Sequence, residues 1–446
     1  MAQWRAIACA SSAESAAGTT RKRRSATMLP TELITAGPRG TTPAAFLNMS
    51  TNAFTRVLSL SALTNAWEEI YRKASPASRK TLAVDDSCLN DYADNYQRNL
   101  RKLNNSLRNG NFHFQELKPY RIPRPNGKKD RVICVPTVDD RVVQRALLNF
   151  LSDKYRNQLD NTVSFGFVSG RSVKDAADKA CRIRRNHPWI FKTDITSFFD
   201  NIDRKLLRER ISKIVKEKTL HPILFAVLDC EIQGGKRSTA DAIKKLGIVR
   251  GKGIRQGMPL SPLLSNLFLI PFDSATKLSG AKAVRYADDL IFMADSEEEC
   301  RGLLEFCKAE FKNLSLTIPE LFPGSKSEIY EPNSPAEFLG LELTGQDKGC
   351  VLRLSDSQFE RIRAELLKYG SIKELLSQGI TMKSLGASIN AKRNGYLAAY
   401  DVCTNITEVT DKLMDIEKKA LRNLYREGLG LDLKVLSAEA RTFLGI

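Results

Sequence analysis

Three aspartates stand apart because of what surrounds them. Asp194 closes the short strand-like run Trp189-Ile190-Phe191-Lys192-Thr193-Asp194-Ile195. Asp288 and Asp289 adjoin within Ala283-Val284-Arg285-Tyr286-Ala287-Asp288-Asp289-Leu290-Ile291-Phe292-Met293, an otherwise largely apolar segment. Adjacent carboxylates repel each other and are costly in apolar surroundings. Such a pair calls for a counter-charge. A hard divalent cation with oxygen ligands supplies one, and Mg²⁺ asks for only one or two carboxylates plus substrate phosphates. Two such ions can clamp the attacking and leaving oxygens of a phosphoryl transfer. Taken alone, the pair also fits a solvent-exposed turn with two aspartates, so the neighbouring segments have to decide.

Those segments have readable periods. From about residue 52 to 110 the spacing is helical, with Trp67, Ile70 and Tyr71 on one stripe and Tyr92, Tyr96, Leu100, Leu103 and Leu107 on another. Tyr120 to Ile133 reads as two strands around Pro125-Asn126-Gly127, a hairpin signal. Asp139 or Asp140 is expected to cap a following helix. Ala283–Met293 reads as two strands meeting at a tight turn, and Glu337–Leu343 as a further strand pair. Helical stretches lie between them at Lys205–Val215, Leu263–Phe272 and Ser296–Leu314, and the chain after Ser355 reads as helices. Antiparallel strand pairs interleaved with helices predict an α+β sheet domain.

The composition agrees with a folded nucleic-acid-facing protein. The chain has 446 residues, 42% hydrophobic and 27% charged, which is a globular balance. With 69 Lys and Arg against 51 Asp and Glu, the net charge is +18, and a polyanionic partner is expected. The excess is local. Residues 101–192 hold 20 basic and 8 acidic residues, whereas 14 basic face 12 acidic from Asp356 onward. Arg182, Arg184 and Arg185 are expected among the phosphate contacts. Nine scattered cysteines, no Cys-x-x-Cys and three histidines argue against a structural zinc site and a secreted disulfide framework. No run of about 18 uncharged apolar residues suggests a membrane span. A reducing cytoplasm is the expected compartment. Residues 1–50, rich in Ala, Ser and Thr with Arg21-Lys22-Arg23-Arg24, fit a disordered arm, a transit peptide or a misplaced start preceding Met49.

In their order along the chain, the motifs resemble those of reverse transcriptases, specifically the bacterial group II intron and retron branch. Tyr286-Ala287-Asp288-Asp289 matches that family's Tyr-Ala-Asp-Asp box. Asp194-Ile195-Thr196-Ser197-Phe198-Phe199-Asp200-Asn201-Ile202 resembles its first metal motif, and Gly253–Asn266 the box between the two. Ser164–Ser172 is similar to the segment before the first aspartate, and Phe338-Leu339-Gly340 to the primer-grip strand. The resemblance runs from Tyr120 to Leu343, with a weaker echo at Ile389–Tyr396.

The resemblance implies an α+β right-hand polymerase. Residues 51–118 would be a helical N-terminal extension, 119–350 the fingers and the palm with its antiparallel sheet, and 351–446 a helical thumb. It implies an RNA-directed DNA polymerase, a nucleotidyltransferase using two Mg²⁺ ions, with Mn²⁺ as a substitute. Its substrates would be dNTPs, its template RNA and its product cDNA. Asp194 and Asp288 would ligate both metals, Asp289 would be the weaker or outer ligand, and the carbonyl of Ile195 would complete the shell. Phe199 would be the steric gate against a ribose 2′-OH; its alternative is a core ring beside Phe198. Lys128, Lys129 and Arg131 would cradle the triphosphate, with Arg131 the closest match. Gln256 and Gly257 would pack against the nucleotide. Lys326 would protonate leaving pyrophosphate, although Pro319 to Glu328 departs from the family pattern.

Two absences narrow the branch. The chain has no His/Cys-rich nuclease tail, and Leu339–Gly345 lacks the Val-Thr-Gly signature of retron enzymes. The architecture looks like that of stand-alone reverse transcriptases acting in phage defence, with a dedicated non-coding RNA encoded nearby. A group II intron maturase-like RNA-binding protein and a retron-type enzyme are the alternatives. A viral-type RNA-dependent RNA polymerase is a third, against which Phe199 and the Tyr-Ala before Asp288 argue. Oligomeric state, primer and protein-primed or template-independent synthesis stay open.

Overall fold

Helix periodicity builds the N-terminal part of the protein. A computed structural model describes residues 52–124, 130–234, 241, 243–346 and 349–446; the arm expected at 1–50 and the turn at Pro125-Asn126-Gly127 lie outside them. Helix α1 (Leu60–Lys73) starts at Ser59, whose hydroxyl accepts the Ala62 amide at 3.3 Å, a common N-cap. It buries Leu63, Ala66 and Trp67, and the Trp67 ring lies 4.8 Å from Tyr92 and 6.1 Å from Tyr96. Helix α2 (Tyr96–Arg108) buries Leu100, Leu103 and Leu107, the expected stripe. Among the described residues no helix is long and apolar enough to cross a membrane.

Strands β1 (Lys118–Ile122) and β2 (Arg131–Val135) pair antiparallel, with Ile122 opposite Arg131. The next helix, α3 (Val138–Lys154), is capped by Thr137 and not by either expected aspartate: the Thr137 hydroxyl accepts the Asp140 amide at 3.2 Å. Both acids are otherwise engaged. Asp139 accepts the Tyr92 hydroxyl at 2.7 Å. Asp140 is buried and accepts the Gln115 amide at 3.1 Å, and burial pushes its carboxyl up to about 7.

The central layer follows. Helix α4 (Val173–Arg184) leads to β3 (Trp189–Asp194), then to the single turn α5 (Phe198–Asn201) and to α6 (Arg204–Ile214). Helix α7 (Ser261–Leu278) precedes β4 (Lys282–Tyr286) and β5 (Asp289–Ala294); α8 (Glu297–Lys312) and β6 (Glu328–Tyr330) complete the layer. The four strands form an antiparallel sheet in the order β4-β5-β3-β6. Both faces are covered. Phe191, Leu290 and Phe292 join one core with α7 and α8, while Ile190, Val284, Ile291 and Met293 join another with α4 and the C-terminal helices. Burial on both faces explains near-continuous apolar strands instead of alternation.

A second sheet holds β7 (Ala336–Phe338), β8 (Leu341–Gln346) and β9 (Gly349–Leu354). The sequence predicts only the first pair. The boundary expected at 350/351 falls inside β9, whose Cys350, Leu352 and Leu354 are buried in alternation. Helices begin only at α9 (Asp356–Leu367), capped by Ser355, and continue with α10 (Met382–Ala399) and α11 (Ile406–Asn423).

One basic expectation needs correcting here. Arg184 does not face a phosphate channel: it is buried and donates to the carbonyls of Pro188, Leu343, Glu331, Pro332 and Ser334. It ties α4 to the connection between β6 and β7 and to β8. Arg182 is exposed and pairs with Asp178. Arg184→Ala would take the donor from the buried Leu343 carbonyl and from four part-buried ones, and a buried carbonyl left unpaired costs about 1–3 kcal/mol. We expect it to lower unfolding free energy by about 3 kcal/mol or more in urea titrations, while Arg182→Ala stays within about 0.5 kcal/mol of wild type. Equal effects would contradict the assignment.

Candidate active site

Strand register sets the acids. Asp194 lies opposite Asp289 across β3 and β5, and Tyr286 lies opposite Asp289 across β4 and β5. Ala287 and Asp288 therefore form a two-residue turn, with Ala287 at φ +58°. The Ile195 amide donates to the Asp288 carbonyl at 3.1 Å, so the residue after the first aspartate is tied to the turn carrying the second. Asp194 is buried; one of its oxygens pairs with the Lys326 ammonium, and the other, Oδ1, is buried with no hydrogen-bond partner among the described residues. Burial, then the charges of Asp289 and Asp194, push the Asp288 carboxyl well above the usual range; Lys326 opposes them.

Lys326 arrives on a fastened loop despite its unusual sequence. The Ser325 hydroxyl donates to the Glu320 carbonyl at 2.6 Å, the Ser327 hydroxyl to the Pro319 carbonyl at 2.5 Å, and the hydroxyls of Ser327 and Thr193 lie 2.7 Å apart. Arg131, at the start of β2, is half-buried and feels the charges of both Asp288 and Asp289, which offset the lowering of its pKa by burial. The structure thus brings Arg131 and Lys326 to the acids from two different elements. Lys128 and Lys129 lie outside the described residues.

The Gly253–Asn266 box forms a bridge between β2 and α5. Cys134 on β2 donates its amide to the Gln256 carbonyl at 2.7 Å, and the Ile254 amide donates to the Phe199 carbonyl at 2.8 Å. Gly257 has φ +109°, and a Cβ there would lie 2.4 Å from the Cys134 carbonyl oxygen. The close approach that requires glycine is therefore to strand β2, whereas the sequence predicts an approach to nucleotide. Gly253 has the same role on the other side, where a Cβ would fall 2.5 Å from the Asp200 carbonyl oxygen. Phe198 is buried, and Phe199 is half-buried against its edge, with ring centroids 5.4 Å apart.

Sequence reasoning passes over the supports beneath this surface. Arg255 is buried and pairs with Glu231, which Arg204 also reaches at 2.8 Å. Gly166 presses on the acid turn: a Cβ there would lie 2.4 Å from the Ala287 nitrogen. The available signal was a polar residue inside an apolar run, as Arg285 is.

The residues suit a divalent cation. Among the described residues no three His, Cys, Asp or Glu side chains form a cage on their own, but Mg²⁺ takes much of its shell from water and phosphate. The unpartnered Asp194 Oδ1 and the crowded Asp288 carboxyl are oxygens of the right kind. Because Asp288 holds its proton more tightly folded than unfolded, metal-free stability falls as pH rises toward neutrality. The charged groups acting on it are Asp289, Asp194 and Lys326, with Arg131 sensing the same acids. Asp288→Asn removes that titration. In chelator, its melting temperature relative to wild type should climb between about pH 4 and about pH 7, and saturating Mg²⁺ should narrow the gap. A difference flat with pH would show that the carboxyl ionises freely.

Residues 122–343 match the family described as Reverse transcriptase (RNA-dependent DNA polymerase). Group II intron-encoded protein LtrA of Lactococcus lactis subsp. cremoris is 25% identical over 331 residues, covering 59% of this chain and 53% of that protein. Protein YkfC of Escherichia coli (strain K12) is 28% identical over 257 residues, covering 46% of this chain and 63% of that protein. The chain spans about half the length of the first relative and under two thirds of the second. A telomerase structure from Candida albicans, solved with a TWJ fragment of telomeric RNA, overlaps with a TM-score of 0.41 at 11% identity, over 72% of this chain and 65% of that one. Residues 122–343, with the acid-bearing sheet at their centre, are thus similar to reverse transcriptases.

Proposed function

We propose that the protein is an RNA-directed DNA polymerase, making cDNA from dNTPs on an RNA template. The observation that carries this reading is the register that sets Asp194 against Asp289 with Asp288 in the adjoining turn. Two Mg²⁺ ions, replaceable by Mn²⁺, would be held by Asp194 and Asp288, with Asp289 outside them and the Ile195 carbonyl completing the shell. When bound they supply charge stabilisation for the attacking and leaving oxygens. The chain's own residues do the rest. Arg131 offers a planar fork to the triphosphate. Lys326 pairs with Asp194; with a cation held there, its ammonium would be able to meet the leaving phosphates and donate a proton. Phe199, half-buried one turn beyond Asp194, stands as the sugar gate. The basic excess before residue 193 attracts the RNA backbone.

The host role we propose is defence against phage, with a dedicated RNA encoded nearby and synthesis in the bacterial cytoplasm; this rests on the sequence resemblance alone. A maturase-like RNA-binding role is the second reading, and the group II intron-encoded relative favours it. One variant separates them. Asp288→Ala/Asp289→Ala should bind RNA as wild type does, incorporate no dNTP above background, and lose protection in plaque assays over a broad phage panel. Residual synthesis would remove the site assignment; protection without synthesis would move the function to RNA binding.

The gate has its own test. Phe199→Ala should raise the ratio of rNTP to dNTP incorporation on one template by about 5- to 30-fold, since a clash of about 1–2 kcal/mol is relieved. An unchanged ratio would make Phe199 a packing residue beside Phe198.

A further inference from the structure

Behind the turn that carries Asp288 lies a fully buried guanidinium. Arg285 on β4 has no solvent exposure and is the largest fully buried side chain among the described residues. Its Nε and Nη2 meet both oxygens of Asp273 on α7, at 2.7 and 2.6 Å. Its Nη1 donates to Asn266 Oδ1 at 3.2 Å and to the Ala287 carbonyl at 3.1 Å. The partners are themselves tied down. Asn266 donates to the Gly166 carbonyl at 2.8 Å, and Asn161 donates to Asp273 at 2.8 Å. The Arg285 main chain is held on both sides, its amide donating to Val163 and its carbonyl accepting from Phe165, each at 2.8 Å.

Stability is a poor reason for such a network. Replacing a buried ion pair by apolar groups of similar volume is often neutral or stabilising. The charges of Arg285 and Asp273 also cancel, so the pair adds little net field at the acids. What an apolar pair cannot do is hold the Ala287 carbonyl. That carbonyl belongs to the peptide joining Ala287 to Asp288, in a turn whose first residue sits at φ +58°. Fixing that peptide plane fixes the direction in which Asp288 leaves the backbone.

We propose that Arg285, Asp273 and Asn266 are positioning residues that set the Ala287–Asp288 peptide and hold the Asp288 carboxylate in place for a divalent cation. The proposal deepens the polymerase reading and rests on it for the identity of the site. The clamp sets the geometry before any ion arrives. It opposes the outward relaxation that repulsion among Asp194, Asp288 and Asp289 would drive. Groups that orient metal ligands from behind typically change metal affinity or activity by about 10–100-fold when removed.

The test uses the full chain and Mn²⁺ as probe, read by electron paramagnetic resonance without nucleotide, beside thermal unfolding, RNA affinity and the kcat and KM of dNTP incorporation. Asp288→Ala/Asp289→Ala defines signal from this site. The variants are Arg285→Met/Asp273→Leu, which replaces the pair by apolar volume, and Asn266→Ala, which removes one arm. We expect both to keep wild-type RNA affinity, to weaken Mn²⁺ by about tenfold or more, and to lower kcat by about 10–100-fold with KM for dNTP little changed. Unchanged Mn²⁺ affinity in the folded double variant overturns the proposal and leaves a core ion pair. Should that variant fail to fold, Asn266→Ala decides by the same measure. Wild-type protein that binds Mn²⁺ but incorporates no dNTP would sink the polymerase reading while leaving the clamp to stand on the Mn²⁺ loss. Wild-type protein that binds no Mn²⁺ at this site would sink both.

Discussion

The register between β3 and β5 is the constraint on which the rest of the structure depends. It brings Asp194, Asp288 and Asp289 to one end of a sheet whose strands are apolar on both faces. Like charges there repel and resist ionisation, so the acids cannot hold their own arrangement. Two cations answer them from separate elements, Lys326 from the loop before β6 and Arg131 from the β1–β2 hairpin. Neither removes the crowding at Asp288, and Asp194 Oδ1 keeps no partner. The result is a backbone held firmly and a set of oxygens left electrostatically hungry, which is the state a cation site needs before its ion binds.

Firmness of the backbone comes from close approach. At Gly166, Gly253 and Gly257 a single added carbon would collide with another main chain at 2.4 to 2.5 Å. These three contacts join the segment before β3 to the acid turn, the box before α7 to α5, and the same box to β2. Each brings two backbones nearer than any side chain allows. The elements that supply Arg131 and Phe199 are thereby both set against the Gly253–Asn266 box, and the turn that carries Asp288 against the segment around Gly166, without a functional side chain as the fastener.

Much of this arrangement is legible in the sequence, and the reasons are local. The acid hairpin announces itself as two carboxylates in an apolar run, and the α1 and α2 stripes follow simple helical spacing. What escapes depends on partners distant in the chain. Thr137 caps α3 because Asp139 and Asp140 are drawn to Tyr92 and Gln115, which spacing does not reveal. Strand β9 hides behind its half-buried Arg353. Arg184 reads as one more cation in a basic stretch until the carbonyls around it are seen. Gly257 looks the same in sequence whether it faces a nucleotide or strand β2.

Three buried arginines show one further principle at work. Arg184 collects loop carbonyls, Arg255 shares Glu231 with Arg204, and Arg285 joins Asp273 to the acid turn. Each is expensive to desolvate, and for the ion pairs of Arg255 and Arg285 an apolar core of similar volume is often no less stable. Dispersion contacts, however, are directionless, and a peptide plane can rotate within an apolar cavity at little cost. A guanidinium offers five donors in a fixed plane, so it fixes several carbonyl directions at once. Arg184 anchors a loop far along the chain from the acids, and Arg255 holds the box that bridges β2 and α5. Of these three, Arg285 is the one that donates to the carbonyl next to Asp288. Guanidinium clusters therefore belong in this protein wherever an irregular backbone has to keep one shape, and the acid turn is the place where that shape bears directly on chemistry.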